Sequence, residues 1–133
     1  ASCYLTGGKW RSPYDGKVFT NPTGLDIDHM VPLAEAWRSG AWAWTAAQRM
    51  DFANDLEASE TLVAVTASLN RSKGDRDVAN WLPPRSQCKY IANWISVKWR
   101  FDLTVDPNET AFLRTKISEC NITNVLIQEV TIN

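Results

Sequence analysis

The sequence predicts an α+β fold on three observations. Two short runs, Leu25–His29 and Thr61–Thr66, carry strand character. Thr45–Gln48 and Asp106–Glu109 have the form of capping boxes that open helices. Residues 87–100 place Ile91, Trp94, Ile95 and Lys98 at helical spacing. The 133 residues suit one domain, and they contain no internal repeat, low-complexity tract or Gly/Ser linker, so residues 1–133 are expected to form a single unit.

The elements follow in chain order. Ser12-Pro13-Tyr14-Asp15-Gly16 is a turn signal between segments around Lys9-Trp10 and Lys17–Thr20, which predicts an early hairpin. Leu25–Asp28 partly alternates and predicts a strand ending at His29. Pro32 suits the first turn of a helix to about Arg38, ended by Ser39-Gly40. The box at Thr45 predicts a second helix from about Ala46 to Leu56, and the β-branched run Thr61–Thr66 a second strand. A short helix from Leu69 to about Asp75 is cut off by Gly74. After the turn at Leu82-Pro83-Pro84 come a helix over residues 87–100 and another from the Asp106-Pro107 cap to about Cys120. Residues 122–133 alternate loosely, which leaves open an edge strand or an unstructured end.

Composition narrows the function. A net charge of −1 denies the chain a global positive field, so any polyanion site must be local. The best basic cluster is Arg71, Lys73, Arg76 and Arg85, diluted by Asp75 and Asp77. No apolar run approaches the roughly 18 residues of a membrane span. The seven tryptophans are expected mainly in the core. Three cysteines permit one internal bridge. Cys88 and Cys120 are expected to form it, because they bracket the last two helical patterns, and closing a loop of about 33 residues is worth about 3–4 kcal/mol. Cys3 is then left over. The chain opens at Ala1 with neither an initiator Met nor a leader, as a processed mature form or a trimmed product would. Sequons at Asn70, Asn108 and Asn121 fit a secreted product without establishing one.

The chemistry centres on Leu25-Asp26-Ile27-Asp28-His29-Met30-Val31-Pro32-Leu33, where the only histidine directly follows an acid. Cutting a phosphodiester needs a base to deprotonate water and a hard cation to absorb charge on the phosphoryl and leaving oxygens. One Asp-His step can supply both if the backbone bends to bring the two side chains to one site. The second half is Asn70-Arg71-Ser72-Lys73-Gly74-Asp75-Arg76-Asp77, whose asparagine oxygen suits Mg²⁺ and whose basic residues suit flanking phosphates. Asp26 shares a strand face with Asp28, and Glu35 lies six residues beyond His29, so both are candidate ligands or braces. With one histidine and widely separated cysteines, the chain has no zinc-ligand spacing.

Strand, Asp-His, strand, then Asn on a short helix resembles the ββα-metal nuclease core, here with additional flanking helices. The two long motifs, with Trp81-Leu82-Pro83-Pro84, Cys88-Lys89-Tyr90 and Val97-Lys98, are similar to the secreted His-Asn-His endonucleases of actinomycetes and fungi over roughly residues 3–120. The resemblance implies that His29 is the general base and that Asp28 and Asn70 hold one divalent cation, Mg²⁺ or Mn²⁺. It further implies DNA as substrate with little sequence preference, and an extracellular, monomeric enzyme. Arg71, Lys73 and Arg76 would meet neighbouring phosphates. The middle asparagine of that family is absent, since Glu60-Thr61 stand where it belongs, and this leaves the orientation of His29 unexplained. Competing readings are a nuclease that also takes RNA, a relative that binds DNA without cutting it, and a non-catalytic module that uses tryptophans as stacking platforms.

Overall fold

The strands are short because each apolar run is cut by a turn residue or a proline, and the structure is correspondingly rich in helix. In the computed structural model, which describes residues 8–125, the order is β1 (Trp10–Arg11), β2 (Val18–Phe19), β3 (Leu25–His29), α1 (Leu33–Arg38), α2 (Ala46–Ala53), β4 (Leu62–Thr66), α3 (Ala67–Lys73), α4 (Gln87–Arg100) and α5 (Pro107–Glu119). Single 3₁₀ turns lie at Pro22–Gly24 and Ala41–Ala43. The predicted α+β class holds, with two two-stranded antiparallel sheets, β1–β2 and β3–β4, among the described residues.

The register of the second sheet sets up the site. Leu25 lies opposite Thr66, Asp28 opposite Val63 and His29 opposite Leu62, and strand alternation puts Asp26 and Asp28 on one face and Ile27 and His29 on the other. Helix α3 begins directly after β4, with Thr66 at its N-cap position, and packs on both strands. Asn70 and Lys73 stand three apart on that helix and therefore share a face. They meet the two acids of β3 in order, Asn70 at Asp26 and Lys73 at Asp28.

Both expected capping boxes are present, Thr45 with Gln48 and Asp106 with Glu109. Helix α2 stops at Ala53, short of the expected Leu56. Two interactions end it: the Asn54 side chain donates back to the Met50 carbonyl, and Asp55 is drawn inward by Arg100 (2.9 Å) and by the Thr61 hydroxyl (2.6 Å). Helices α4 and α5 are joined by the expected Cys88–Cys120 disulfide, with the Cα atoms 5.6 Å apart. Cys3 and residues 126–133 lie outside the described residues, and with them most of the open question about the C-terminal end.

The core is built around Tyr14, Met30, Val31, Phe52, Val65, Tyr90, Ile91, Trp94 and Val97. The tryptophans divide. Trp94 is fully buried and donates its ring N–H to Glu109 (2.8 Å), while Trp44 and Trp81 are half-buried against the core. Trp37, Trp42 and Trp99 are 51%, 62% and 70% exposed, so the expectation of a tryptophan core fails for these three. No helix among the described residues is long and apolar enough to cross a membrane.

Candidate active site

Asp28 is buried on the α3 side of β3. Its Oδ2 accepts from Lys73 Nζ at 2.6 Å and from the Tyr14 hydroxyl at 2.5 Å. Lys73 also donates to the carbonyls of His29 (3.0 Å) and Met30 (2.8 Å), and its ammonium lies 5.4 Å from the centre of the Tyr90 ring. Lys73 was expected at a neighbouring phosphate and is instead fully buried, with Asp28 as its counter-ion. Its aliphatic stem fills the core, and its head is satisfied by one carboxylate and two carbonyls, which makes the burial tolerable. Desolvation pulls its pKa below the usual lysine value, against the opposing pull of Asp28. Burial and the Asp28 charge push the Tyr14 hydroxyl well above the ordinary phenol range, so it acts only as a neutral donor.

His29 is mounted on the other face. Its Nε2 lies 2.9 Å from the carbonyl of Ala53, at the end of α2, and its ring stacks on Phe52 at 6.1 Å between centroids. A carbonyl only accepts, so Nε2 carries the proton and Nδ1 keeps a lone pair. This supplies the bracing that the missing middle asparagine left unexplained. Thr61 contributes to it: its carbonyl accepts from Met30 N–H (2.9 Å) and its hydroxyl is fixed by Asp55.

Asn70 donates through Nδ2 to Asp26 Oδ2 at 3.0 Å, which leaves its carbonyl oxygen pointing elsewhere. Arg71 is 75% exposed and approaches the same Asp26 oxygen at 3.6 Å, and Arg76 is exposed on the loop beyond. The structure thus brings Asp26, Asn70 and Arg71 together, and Asp28, Lys73 and Tyr14 together. Only the backbone carbonyl of His29 reaches the second group, through Lys73. Strand β3 stays regular through His29, so the expected bend is not made, and the imidazole and the Asp28 carboxylate lie on opposite faces of the strand. Glu35, expected as a ligand or brace at His29, faces away. Its carboxylate pairs with Lys98 (3.0 Å) and Arg38 (3.0 Å), because α1 turns that face toward α4. Tyr14 carried no signal in the sequence beyond its place in a turn, and the Ala53 carbonyl carried none at all.

Residues 1–116 match the family described as GmrSD restriction endonucleases, C-terminal domain. The chain belongs to this family. A relative from Arthroderma benhamiae, described as an uncharacterized secreted protein, is 46% identical over 121 residues, covering 90% of this chain and 59% of the relative. The chain therefore spans well under two thirds of that relative's length. No solved structure matches.

Membership in the GmrSD C-terminal family suggests a nuclease-like function and thereby nucleic-acid binding. Cavity size alone does not mark such a site. A groove of about 950 Å³ between α4 and α5, with Trp94, Trp99, Leu113 and Ile117 in its walls, includes none of Tyr14, Asp26, Asp28, His29, Asn70 and Lys73. A second cavity of about 520 Å³ includes Phe52 and Ala53, the residues that mount His29. A third group of acids, Glu35, Asp77 and Glu109, is buried with oxygens close enough to share an ion. Lys98 Nζ, bonded to Glu35 and Glu109 at 3.0 and 2.7 Å, already provides a cation there.

Proposed function

We propose that the chain is a metal-dependent endonuclease that hydrolyses DNA phosphodiesters with little sequence preference. The mount of His29 carries this reading. With Nε2 donating to the Ala53 carbonyl, Nδ1 is free to accept a proton from water. The water oxygen forms its bond to phosphorus as that proton passes to Nδ1, and the bond from phosphorus to the leaving oxygen breaks. Asp28 and Asn70 would hold one Mg²⁺ or Mn²⁺, which when bound supplies charge stabilisation at the phosphoryl and leaving oxygens.

Each of the two donors keeps an oxygen that such an ion would need. Both hydrogen bonds to Asp28 fall on Oδ2, which leaves Oδ1 as a hard ligand, and the Asn70 amide is oriented by Asp26 so that its oxygen is available. Lys73 opposes a second cation electrostatically, so weak metal affinity in the absence of substrate is expected. Lys73 itself is a positioning residue, since it fixes Asp28 and the backbone that carries His29. The exposed Arg71 and Arg76 are placed to meet flanking phosphates. Asn70 begins a sequon, and a glycan on Nδ2 would replace one of the two amide hydrogens beside Asp26.

An extracellular location is supported by the secreted relative and by the disulfide, a bond that persists in oxidising compartments. The family description, which names restriction endonucleases, favours DNA over RNA. The rival reading of a tryptophan stacking module is weakened because Trp37 and Trp99 line different cavities rather than one face. Plasmid nicking tests the proposal. Relaxed and linear products are expected with Mg²⁺ and none with chelator or with Asn70→Ala, whereas cleavage that survives chelation refutes the metal.

A further inference from the structure

We propose that the cavity beside His29 is a nucleobase subsite, which takes one unstacked base of a single-stranded segment flanking the scissile phosphate. This rests on the nuclease reading above and names the form of substrate it would accept. The cavity, about 520 Å³, falls in the size range of ligand sites, and Trp37, Trp44, Arg49, Met50 and Phe52 lie in its walls. Its inner wall is the mount of the base: Phe52 stacks on the His29 ring and Ala53 accepts the ring N–H. The Phe52 ring therefore stands between an occupant and the His29 ring.

Two features select a base attached to a phosphate over a plain apolar ligand. The Arg49 guanidinium lies 5.4 Å from the Trp37 ring centre and is held there by the carbonyls of Trp44 (2.5 Å) and Ala41 (3.3 Å). Its contacts among the described residues are two carbonyls and a ring, without an ion pair, so a polyanion would meet a cation beside a flat aromatic ring. Trp37 and Met50 are 51% and 65% exposed at the rim, which is the arrangement that stacks bases without reading their edges. A base inside a duplex is already stacked on its neighbours and cannot enter, so the subsite favours single strands or locally opened duplex.

The test uses the full chain in chelator, where a fluorescent 12-nucleotide single strand and the same strand in duplex are titrated by anisotropy. An abasic residue is moved stepwise along the single strand. The proposal expects tighter binding of the single strand and one abasic position that weakens it roughly tenfold in the wild type but not in Trp37→Ala. Met50→Glu, at an exposed rim position, should weaken the single strand more than the duplex without altering the melting curve. A flat abasic scan, or equal effects of both variants on single strand and duplex, overturns the subsite, as does a cavity that proves to bind a peptide or a second copy of the chain. Plasmid nicking is followed in parallel with Mg²⁺. Nicking with a flat scan refutes the subsite alone, and a position-dependent scan without nicking refutes the nuclease reading alone.

Discussion

Two lysines are buried among the described residues, and their surroundings differ in a way that separates the proposed site from scaffold. Lys73 faces one carboxylate, Asp28, and two backbone carbonyls. Lys98 faces two carboxylates, Glu35 and Glu109, and the Thr104 carbonyl, with Asp77 close by and Arg38 reaching Glu35 from the surface. Around Lys73 charge is balanced one to one, and Asp28 keeps an oxygen without a hydrogen bond. Around Lys98 acidic groups outnumber the buried cation, and burial pushes the Glu109 and Asp77 carboxyls above their ordinary values, more strongly than Lys98 pulls them down. The Lys73 arrangement holds Asp28 by one oxygen and leaves the other without a hydrogen bond. The Lys98 cluster ties α1, α4 and α5 together.

The sharpest way to break this comparison is to remove each lysine. Lys73→Met leaves Asp28 buried without its cation, so denaturant unfolding should show a loss of about 3–5 kcal/mol. The double variant Lys73→Met with Asp28→Asn should recover much of that stability and none of the cleavage. Recovery of both would make the pair purely structural. Lys98→Met should also destabilise, yet the surviving folded molecules should cleave at a rate within about threefold of wild type, since none of its partners touches the proposed site. Next in size is the bridge. Reduction of Cys88–Cys120 should cost about 3–4 kcal/mol and leave the His29 mount intact, and a melting curve unchanged by reductant would show that α4 and α5 need no tie.

The pH dependence of stability follows from the same contrast. Glu109 and Asp77 have folded pKa values raised above 4.5 and 3.8, so their contribution is full below those values and is lost as pH rises through the folded ones. Asp55 and Asp15 have values lowered below 3.8. Burial alone would raise both, but Arg100 and Thr61 at Asp55, and Lys17 and Thr66 at Asp15, outweigh it. Their contribution is present above 3.8 and is lost as pH falls. Melting temperatures from pH 3 to 8 should therefore peak on the acidic side of neutral, and Lys98→Met should lose more at pH 8 than at pH 5. The smallest effect is at the surface. Arg71→Ala or Arg76→Ala should weaken DNA binding a few-fold on every sequence and reduce the salt slope by about one, and a change of sequence preference would contradict a phosphate role.

Much of this was legible in the sequence because local rules decided it. The two strands and the boxes at Thr45 and Asp106 each follow from residue types within one element or its flanks, and the Cys88–Cys120 pair from its place around the last two helices. What escaped depends on tertiary placement. Lys73 read as a surface cation because lysine is almost never fully buried, and only the match between the α3 face and the acids of β3 reveals it as internal. Glu35 read as near His29 because it is near in sequence, whereas the turn into α1 sends it toward α4. The Ala53 carbonyl is a backbone group, and no side chain announces it.

The most direct test of the central claim is the single-turnover cleavage rate of His29→Ala with Mg²⁺, measured on protein whose circular dichroism matches the wild type. The account predicts a loss of roughly 10²–10⁴, the usual worth of a positioned general base. An unchanged rate in that folded variant would remove His29 from the chemistry and contradict the account.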